Sequence, residues 1–518
     1  MRRIHKCAAG TALALLLLAA CADKNAGGDP GGGAGPKAAA LTQSGRWLVD
    51  SQGRAVILHG VNFLSKLPPY LPSALGFGAD DARYLASQGF NTIRTGIAHK
   101  GFATAPGQYD MAYLEDFARS VKVMGDAGLH VMIDFHQDMY NERYQGNGMA
   151  DWATFDSSPT EPTNFPNCAT GFPGNMFVCE FVWEAFDRFF GIGSASAPQA
   201  SPREGFTLQQ EYAEAWGLVA ARFKDDPMVF SYDIFNEPHP GSQVGACLNP
   251  AGCPAAGGAD AALTEFHTLV AAAIRAADPD TIVYYEPFGT NFNAGMPTAH
   301  GDIGTTQVGF SFHVYGCPSS LVPFVLPAEF TEHCGPLAEE NVYVNANEQA
   351  DAFGHSPLVT EFGATDDLAT IDRVIDLAAE HRMGWQYWAW WNEDPCCERP
   401  AEGIIDHPSN PPTTEHLDEP KLDVLVRPFP RAVAGTPTAW NWDDAAKRFT
   451  LSYTTQPVAG ALAAGAVTEI WVPKRHFPDG YTVSDLAGAE VVSAAGAEAL
   501  QLRALPGATE VSLAIAAP

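Results

Sequence analysis

Two glutamates of this chain follow short apolar runs, and each stands where a strand has to end. Glu237 closes a run that begins at Val229, and Pro238 follows it. Proline cannot donate to a strand ladder, so the strand stops there and the carboxylate is left at its C-terminal end. Glu361 repeats this plan after a run from Pro357, with a glycine two residues later. Two carboxyls supplied by two strand ends are what a retaining glycosidase needs.

The residues near these glutamates predict which carboxyl is the acid and which is the nucleophile. A glycosidic bond breaks through an oxocarbenium-like transition state, so one carboxyl must protonate the leaving oxygen and the other must attack the sugar carbon. Asn236 favours Glu237 as the acid, because an amide can hold a sugar hydroxyl without adding a charge that would keep the carboxyl ionised. Glu361 is then the nucleophile, with His313 and Tyr315 to position and tune it. An ionised Glu361 is expected to raise the pKa of Glu237.

Apolar runs alternate with helical patterns through most of the chain, which predicts a (β/α)8 TIM barrel with chemistry at the C-terminal ends of its strands. Beyond Pro430, short alternating stretches separated by glycine and proline predict an all-β sandwich. The predicted segments are a signal peptide, a flexible Gly/Ala/Pro tether, the barrel and the sandwich, at 1–20, 21–40, 41–429 and 430–518. The predicted barrel strands are 55–63, 91–97, 130–135, 229–235, 281–286, 308–315, 357–363 and 384–391.

The composition and net charge of the chain argue against two classes of binding partner. Sixty acidic residues against 30 basic ones give a net charge of -30, which argues against nucleic acid and against electrostatic binding to anionic membranes. Hydrophobic residues make up 46% of the chain, enough for a large core. The sequence predicts a soluble secreted enzyme for a neutral substrate, working as a monomer without a cofactor or metal.

The N-terminus carries targeting information. A basic segment at 1–6 precedes an apolar run at 12–20 that is too short to span a bilayer. That run ends Leu-Ala-Ala before Cys21, which resembles the lipobox of bacterial lipoproteins and implies cleavage before Cys21 and lipidation of the cysteine. An ordinary secretory signal is the alternative. Either reading predicts a secreted or cell-surface protein, and the lipobox predicts one anchored through Cys21.

Cysteine usage favours an oxidising compartment. Apart from Cys7 and Cys21, six of the remaining cysteines fall in close sequence pairs within loop-like stretches, which favours local disulfides. Their connectivity stays open, and the adjacent Cys396 and Cys397 form either a vicinal bridge or bonds to separate partners. No histidine lies near these pairs at metal-ligand spacing, so a metal site is the weaker interpretation.

Several motifs occur in an order that resembles glycoside hydrolase family 5, the cellulase-type barrel family. They are His-Gly-Val-Asn at 59–62, the strands carrying Arg94 and His136, Asn-Glu-Pro at 236–238, His-Val-Tyr at 313–315, Thr-Glu-Phe-Gly at 360–363 and the tryptophan-rich eighth strand. The resemblance implies that Glu237 is the acid/base, that Glu361 is the nucleophile and that Arg94 supports it. The subsite beside the scissile bond would be lined by His136, Asn236, His313, Tyr315 and Trp388.

A narrower resemblance, to endoglycoceramidases, rests on 66–70, on Asp-Phe-His-Gln-Asp-Met-Tyr at 134–140 and on the entry to the C-terminal module at 430–437. It implies cleavage of the β-linkage between an oligosaccharide and ceramide, with release of the intact glycan. Lys66, Asp138 and Trp183 would then hold sugar hydroxyls or the sugar face.

Two apolar insertions, 181–190 and 321–327, either offer a surface to a lipid or pack into the core. Three alternatives to the ceramide-linked substrate also remain at this level: a β-glucosidase acting on steryl or other glycolipids, an endo-β-1,4-glucanase, and a glycolipid-binding protein without turnover. A long open cleft lined by aromatic side chains would favour the glucanase.

Overall fold

The computed structural model describes residues 41–249, 251–254, 258–315, 336–392 and 402–518. Eight strands form a closed barrel in the order β5-β6-β7-β8-β1-β2-β3-β4, and every neighbouring pair is parallel. This confirms the predicted (β/α)8 barrel. The strands are β1 His59–Asn62, β2 Thr92–Ala98, β3 His130–His136, β4 Val229–Asp233, β5 Ile282–Tyr285, β6 Val308–Val314, β7 Ser356–Phe362 and β8 Gly384–Tyr387.

A helix follows each barrel strand. Polar side chains fix where several of these helices begin: Asp110 accepts from two backbone amides, and Thr207 forms a capping box with Gln210. In the described part of the chain, none of the helices is long and apolar enough to cross a membrane. The helices around the barrel are Ala79–Ser87, Met111–Asp126, Leu208–Phe223, Ala259–Ala277, Gly289–Phe292, Pro336–Phe353, Leu368–Glu380 and Glu419–Leu425.

The first and last barrel strands are shorter than the apolar runs that predict them. The run 55–63 divides, because Ala55–Val56 pairs with strands outside the barrel and only His59–Asn62 belongs to it. The run 384–391 leaves the sheet after Tyr387, and the peptide bond between Trp388 and Ala389 is cis. Apolar composition alone does not mark these ends, since Trp388 and Trp390 lie beyond the strand and are nevertheless buried.

The C-terminal segment folds into two antiparallel sheets around an apolar core that includes Trp440, Phe449 and Ile470. The N-terminal strands, which the sequence assigns to the barrel segment, join the larger of these sheets through pairing of Ala55–Val56 with Phe429–Val433. The larger sheet contains Thr42–Ser44, Trp47–Val49, Ala55–Val56, Phe429–Val433, Thr468–Trp471, Ala499–Ala504 and Ala489–Val491. The smaller sheet contains Thr436–Asp443, Arg448–Thr454, Glu510–Ala516 and Thr482–Ala487.

The long insertion after β3 contains more regular structure than its sequence indicates. Its main element is the helix Glu180–Phe190, which has apolar side chains at three- and four-residue spacing.

Two short hydrogen-bonded strands, Ala103–Ala105 and Gln108–Tyr109, lie after β2. The remaining short helices are His99–Phe102, Glu142–Tyr144, Asp151–Ala153, Pro162–Asn164, Pro166–Cys168, Gly174–Val178, Gly241–Gln243, Val244–Cys247 and, between β1 and the first barrel helix, Pro72–Leu75.

Two disulfides occur among the described residues, and both join cysteines that are close in sequence. Cys168 bonds to Cys179 and Cys247 bonds to Cys253. Local bridges of this kind are what the spacing predicts. The other cysteines of the predicted bridges, Cys317, Cys334, Cys396 and Cys397, lie outside the described residues.

The apolar side chains of the insertion belong to the core. Phe186, Phe189 and Phe190 are each no more than 2% exposed. The rings of Phe189 and Phe190 pack against Phe235 and Phe266 at centroid distances of 5.2 to 6.0 Å, and the ring of Phe186 packs against Tyr140 at 5.2 Å. Of the two alternatives that the sequence left open, the structure therefore selects core packing, and a lipid surface on these phenylalanines is wrong. The second apolar insertion, 321–327, lies outside the described residues.

Candidate active site

Glu237 and Glu361 meet at the C-terminal end of the barrel around one imidazole. Nδ1 of His313 lies 2.8 Å from Oε1 of Glu237 and 3.5 Å from Oε2 of Glu361. A register shift in β6 after Phe312 pairs His313 with Glu361 on the neighbouring strand. One ligand atom from each of the three side chains lies within 4.8 Å of the others. This spacing matches a retaining glycosidase, which needs about 5 Å, and is too short for an inverting one, which needs about 6.5 Å or more.

Glu361 is held from two sides. Nη1 of Arg94 contacts Oε1 of Glu361, and the phenol of Tyr315 donates to Oε2 at 2.7 Å. The side chain is 5% exposed, so few water molecules compete for its oxygens. Burial raises the pKa of Glu361, and the charges of His313 and Arg94 offset part of that rise. The carboxylate is therefore fixed in direction and stabilised by donors, as a nucleophile requires.

Arg94 itself lies at the centre of a buried ionic network. Its guanidinium is fully buried and lies within 2.5 to 3.2 Å of carboxylate oxygens from four different barrel strands or strand ends. Burial would lower its pKa, but these carboxylates raise it well above the ordinary value. Removal of this cation would leave several buried charges unpaired, which is strongly destabilising. The four carboxylates belong to Asp134, Asp233, Glu286 and Glu361.

Glu237 has a conformation that few non-glycine residues adopt. Its φ is +40°, in the left-handed region, where strain is commonly stored at functional sites. The backbone is fixed by its neighbours: the Glu237 amide donates to Oε2 of Glu286 at 2.9 Å, and Gln137 donates to the Glu237 carbonyl at 3.0 Å. The side chain receives two donors on one oxygen, because Asn293 donates to Oε1 at 3.0 Å beside His313.

The electrostatics of Glu237 differ from the sequence expectation. Burial acts to raise its pKa, but the hydrogen bond and charge of His313 outweigh burial, so the pKa of Glu237 is lowered from its ordinary value. Burial would lower the pKa of His313, but Glu286, Glu361 and Glu237 raise it well above the ordinary value. The expected net rise in the pKa of Glu237 is therefore not found, because His313 shifts this pKa downward by more than burial raises it. A cation between the two carboxylates dominates their mutual repulsion.

A second group of predicted residues lies beside this centre. Nζ of Lys66 is 2.6 Å from Asp138 and 4.5 Å from the centre of the Trp388 ring. His136 stacks on the same tryptophan at 5.4 Å. Burial would lower the pKa of His136, but Asp138 and Asp134 raise it to about 9. An aromatic face bordered by charged donors and acceptors is the surface that a sugar ring needs.

Trp183 does not join this group among the described contacts. It lies on the helix Glu180–Phe190, and its indole donates to the carbonyl of Met176 at 2.8 Å, within its own insertion. Asn236, in contrast, contacts the centre directly, since Arg94 donates to its Oδ1 at 2.9 Å. The assignment of Trp183 to a sugar face stays a prediction.

Three further side chains complete the site without having been predicted. Glu286 accepts from Arg94 and from the Glu237 amide, Asn293 holds the Glu237 carboxyl, and Glu402 accepts from the Trp388 indole at 2.9 Å. Glu286 had a sequence signal, because it ends an apolar strand and precedes a proline, as Glu237 does. Asn293 and Glu402 lie in irregular stretches, where no local pattern marks them.

The imidazole and the two glutamate carboxyls have the spacing of a metal site as well. Their oxygens already have donors, however: Arg94 and Tyr315 on Glu361, and Asn293 on Glu237. A metal ion would have to displace donors and lie close to a buried guanidinium of like charge. The arrangement fits proton transfer and nucleophilic attack better than metal binding.

Comparison with known families identifies the barrel. The family profile described as cellulase (glycosyl hydrolase family 5) matches residues 49–394. The chain belongs to glycosyl hydrolase family 5. Residues 427–515 match the C-terminal domain of that family. The protein is accordingly a glycoside hydrolase.

Several relatives in glycosyl hydrolase family 5 resemble most of the chain. Endoglycoceramidase I of Rhodococcus hoagii (strain 103S) is 31% identical over 468 residues, which cover 88% of this chain and 84% of that protein. An endoglycoceramidase of Cyanea nozakii is 26% identical over 84% of this chain and 85% of its own. Endo-glycoceramidase II from Rhodococcus sp. in complex with ganglioside GM3 superposes with a TM-score of 0.70 at 26% identity, covering 91% of this chain and 99% of that chain.

Proposed function

We propose that this glycoside hydrolase is a retaining endo-glycosidase that cleaves the β-linkage between the oligosaccharide and the ceramide of glycosphingolipids. The observation that carries the mechanism is the distance between Glu237 and Glu361, within the range of retaining enzymes. The substrate class is supported by similarity along nearly the whole chain to proteins named endoglycoceramidases. One solved neighbour, 27% identical with a TM-score of 0.70, carries a lactosyl-enzyme intermediate, as a retaining enzyme would.

In the first step Glu361 attacks the anomeric carbon and forms a glycosyl-enzyme ester, while a proton from Glu237 passes to the departing ceramide oxygen. Arg94 and Tyr315 keep Glu361 ionised and directed until the bond forms. Since the pKa of Glu237 is lowered and that of His313 is raised, the free enzyme favours the form of this pair with the proton on His313. We expect the bound substrate to exclude water and to favour the neutral pair, with the proton on Glu237.

In the second step Glu237 acts as a base. It takes a proton from a water molecule, whose oxygen attacks the anomeric carbon and displaces the Glu361 carboxylate, so that the glycan is released. Two inversions give overall retention of the β-configuration. Lys66, Asp138 and Trp388 lie beside the centre, where they can hold the sugar that remains bound between the two steps.

The test is a product analysis. The purified protein is incubated with detergent-dispersed lactosylceramide, a ganglioside, a steryl glucoside and soluble cellulose, with Glu361→Gln as the inactive control. We expect intact oligosaccharide and ceramide, and a first product with the β-anomeric signal in NMR spectra. Release of monosaccharide, an α-anomer as first product, or turnover of cellulose alone would refute the proposal.

We also propose that the protein is exported and anchored through a lipid on Cys21, as a monomer. The lipobox-like sequence before Cys21 supports the anchor, and the two disulfides fit an oxidising compartment. Leu41, at the start of the described chain, packs with Leu58 and Phe230 at the N-terminal ends of the barrel strands. Leu41 therefore lies at the end of the barrel opposite the catalytic carboxylates.

A further inference from the structure

The loop after β5 lies directly against the catalytic acid. It contains the short helix Gly289–Phe292, and the Gly289 amide donates to the carbonyl of Pro238 at 3.0 Å. A Cβ atom at position 289 would lie 3.1 Å from Cβ of Glu237, a contact that few side chains tolerate. Glycine therefore permits the loop to reach Glu237, and Asn293 at its end donates to Oε1 of the carboxyl at 3.0 Å.

Asn293 and His313 approach the same oxygen, but they differ in what else they contact. His313 also lies 3.5 Å from Glu361, so it occupies the space between the two carboxyls. Asn293 has no described contact with Glu361 or with the Arg94 network. In a retaining mechanism the leaving oxygen and the nucleophile lie on opposite faces of the sugar carbon, and the acid contacts the leaving oxygen. Asn293 contacts the acid and has no described contact with the nucleophile, so we assign the leaving group to its side of Glu237.

The side chain of Asn293 has an unused end. It is partly exposed, whereas Glu286 and Phe292 on the same segment are buried. Nδ2 is engaged by Glu237, while the described residues give Oδ1 no hydrogen-bond donor. An amide fixed at one end and free at the other can accept a hydroxyl or an amide N–H from a ligand.

The loop is supported from two directions, so Asn293 has a defined position. Asn291 donates to Sγ of Cys253, in the disulfide that closes the loop after β4. Asn345 donates to the carbonyl of Gly295 at 3.0 Å from the helix Pro336–Phe353. Such support reduces the cost of fixing a binding group when the ligand arrives.

We infer that Asn293 couples recognition of the leaving group to proton donation: Nδ2 positions Oε1 of Glu237, and Oδ1 accepts a hydrogen bond from the aglycone. On the proposed function the aglycone is ceramide, whose hydroxyl and amide N–H are donors of this kind. The inference rests on the proposed function for the identity of the aglycone alone.

The test compares leaving groups that differ in their need for an acid. Asn293→Ala is assayed on lactosylceramide, on octyl β-lactoside and on 2,4-dinitrophenyl β-lactoside, which departs without a proton. Loss of a hydrogen bond to a charged group should lower kcat/KM about tenfold or more on the two alkyl-type leaving groups. The loss on the dinitrophenyl substrate should be under about threefold, since no proton is needed there. The KM for lactosylceramide should rise more than that for octyl lactoside.

Asn293→Asp tests the two roles of the side chain separately, because it keeps an acceptor but replaces the donor with a negative charge. That charge should raise the pKa at which the Glu237–His313 pair loses its proton, so the alkaline limb of the pH profile on octyl lactoside should move upward. Asn345→Ala is the matched control, since it removes a support of the same loop without contact to Glu237. It should change kcat/KM by the same factor on all three substrates and leave the pH profile unshifted.

Equal losses on all three substrates in Asn293→Ala, or an unshifted alkaline limb in Asn293→Asp, would overturn the inference and leave Asn293 a structural residue. If the wild type cleaves both lactosides but not lactosylceramide, the proposed function fails. The ratio of kcat/KM on octyl β-lactoside to kcat/KM on 2,4-dinitrophenyl β-lactoside then still decides whether Asn293 supports proton donation by Glu237.

Discussion

The two ends of the barrel are built from the same strands but differ in chemistry. At the C-terminal end, β4 leads to Glu237 and β7 carries Glu361, and charged groups surround both. At the N-terminal end the same strands contribute Phe230 and Leu358 to an apolar cluster. Each strand therefore stabilises the fold at one end and presents reactive groups at the other. The full cluster is Leu41, Leu48, Val56, Leu58, Met132, Phe230, Ile282, Tyr284 and Leu358.

We therefore expect that substitutions along one strand can change stability and catalysis independently. The charged end contains a strained Glu237 and a buried ion network, neither of which is an efficient source of stability. The apolar end excludes water from nine side chains, none of which belongs to the ion network or to the catalytic pair. Substitutions at the two ends should therefore give separable effects.

The largest effect is expected at the catalytic carboxyls. Glu361→Gln and Glu237→Gln should each lower kcat on the order of 10³-fold or more on lactosylceramide, because an amide can neither attack nor donate an acidic proton. The melting temperature should stay close to that of the wild type, since the shape is kept. Azide should restore part of the activity of Glu361→Ala and give the inverted glycosyl azide. Near wild-type turnover in either Gln variant would show that the roles are misassigned.

Tyr315→Phe should have an intermediate effect on the same end. It removes the phenol that donates to Glu361 at 2.7 Å, so kcat should fall roughly 10- to 100-fold. The nucleophile must be ionised, and activity is lost as the pH falls through the pKa of Glu361, which burial already raises. Loss of a donor to the ionised form raises that pKa further, so the acid limb should move upward by about one pH unit.

A matched control for this shift is Tyr343→Phe, because Tyr343 is buried and donates to the carbonyl of Val374 away from the site. Its acid limb should coincide with that of the wild type. The alkaline limb of both variants should lie above the ordinary histidine pKa, since the pKa of His313 is raised by Glu286, Glu361 and Glu237 against the effect of burial. An unchanged acid limb in Tyr315→Phe would show that Tyr315 does not influence the ionisation of Glu361.

Leu358→Ala tests the apolar end on the strand that carries Glu361. Leu358 is 1% exposed, and its truncation should lower the free energy of unfolding by about 2–5 kcal/mol. The value of kcat/KM per folded molecule should stay within about twofold of the wild type, measured well below the melting temperature. A large loss of kcat/KM in fully folded Leu358→Ala would mean that the two ends are coupled.

The smallest effect on turnover is expected outside the barrel. Cys21→Ser should release the protein from the membrane fraction of expressing cells and abolish its labelling with radioactive palmitate. Its kcat/KM on detergent-dispersed substrate should be unchanged, because the tether precedes Leu41 at the non-catalytic end. The anchor would be refuted if Cys21→Ser stayed in the membrane fraction and neither it nor the wild type carried a lipid label.

Local sequence pattern located Glu237 and Glu361 at the C-terminal ends of two barrel strands, although it did not give the bounds of every strand. Proline after Glu237 and glycine after the strand of Glu361 are local signals, and they act whatever surrounds them. The number of strand and helix repeats was likewise readable, because periodicity is a local property, and the closed barrel confirms it. Glu286 shares the signal of Glu237 and could have been found in the same way.

The surroundings of each group depend on the tertiary fold. The direction of the Glu237 pKa depends on His313, which is 76 residues away in sequence, and the phenylalanines after Glu180 are buried by partners on other elements. Asn293 reaches Glu237 through a loop whose path depends on a disulfide and on a distant helix. Electrostatic energy and burial depend on distances between atoms rather than along the chain, so local pattern fixes which groups are present and the fold decides what they do.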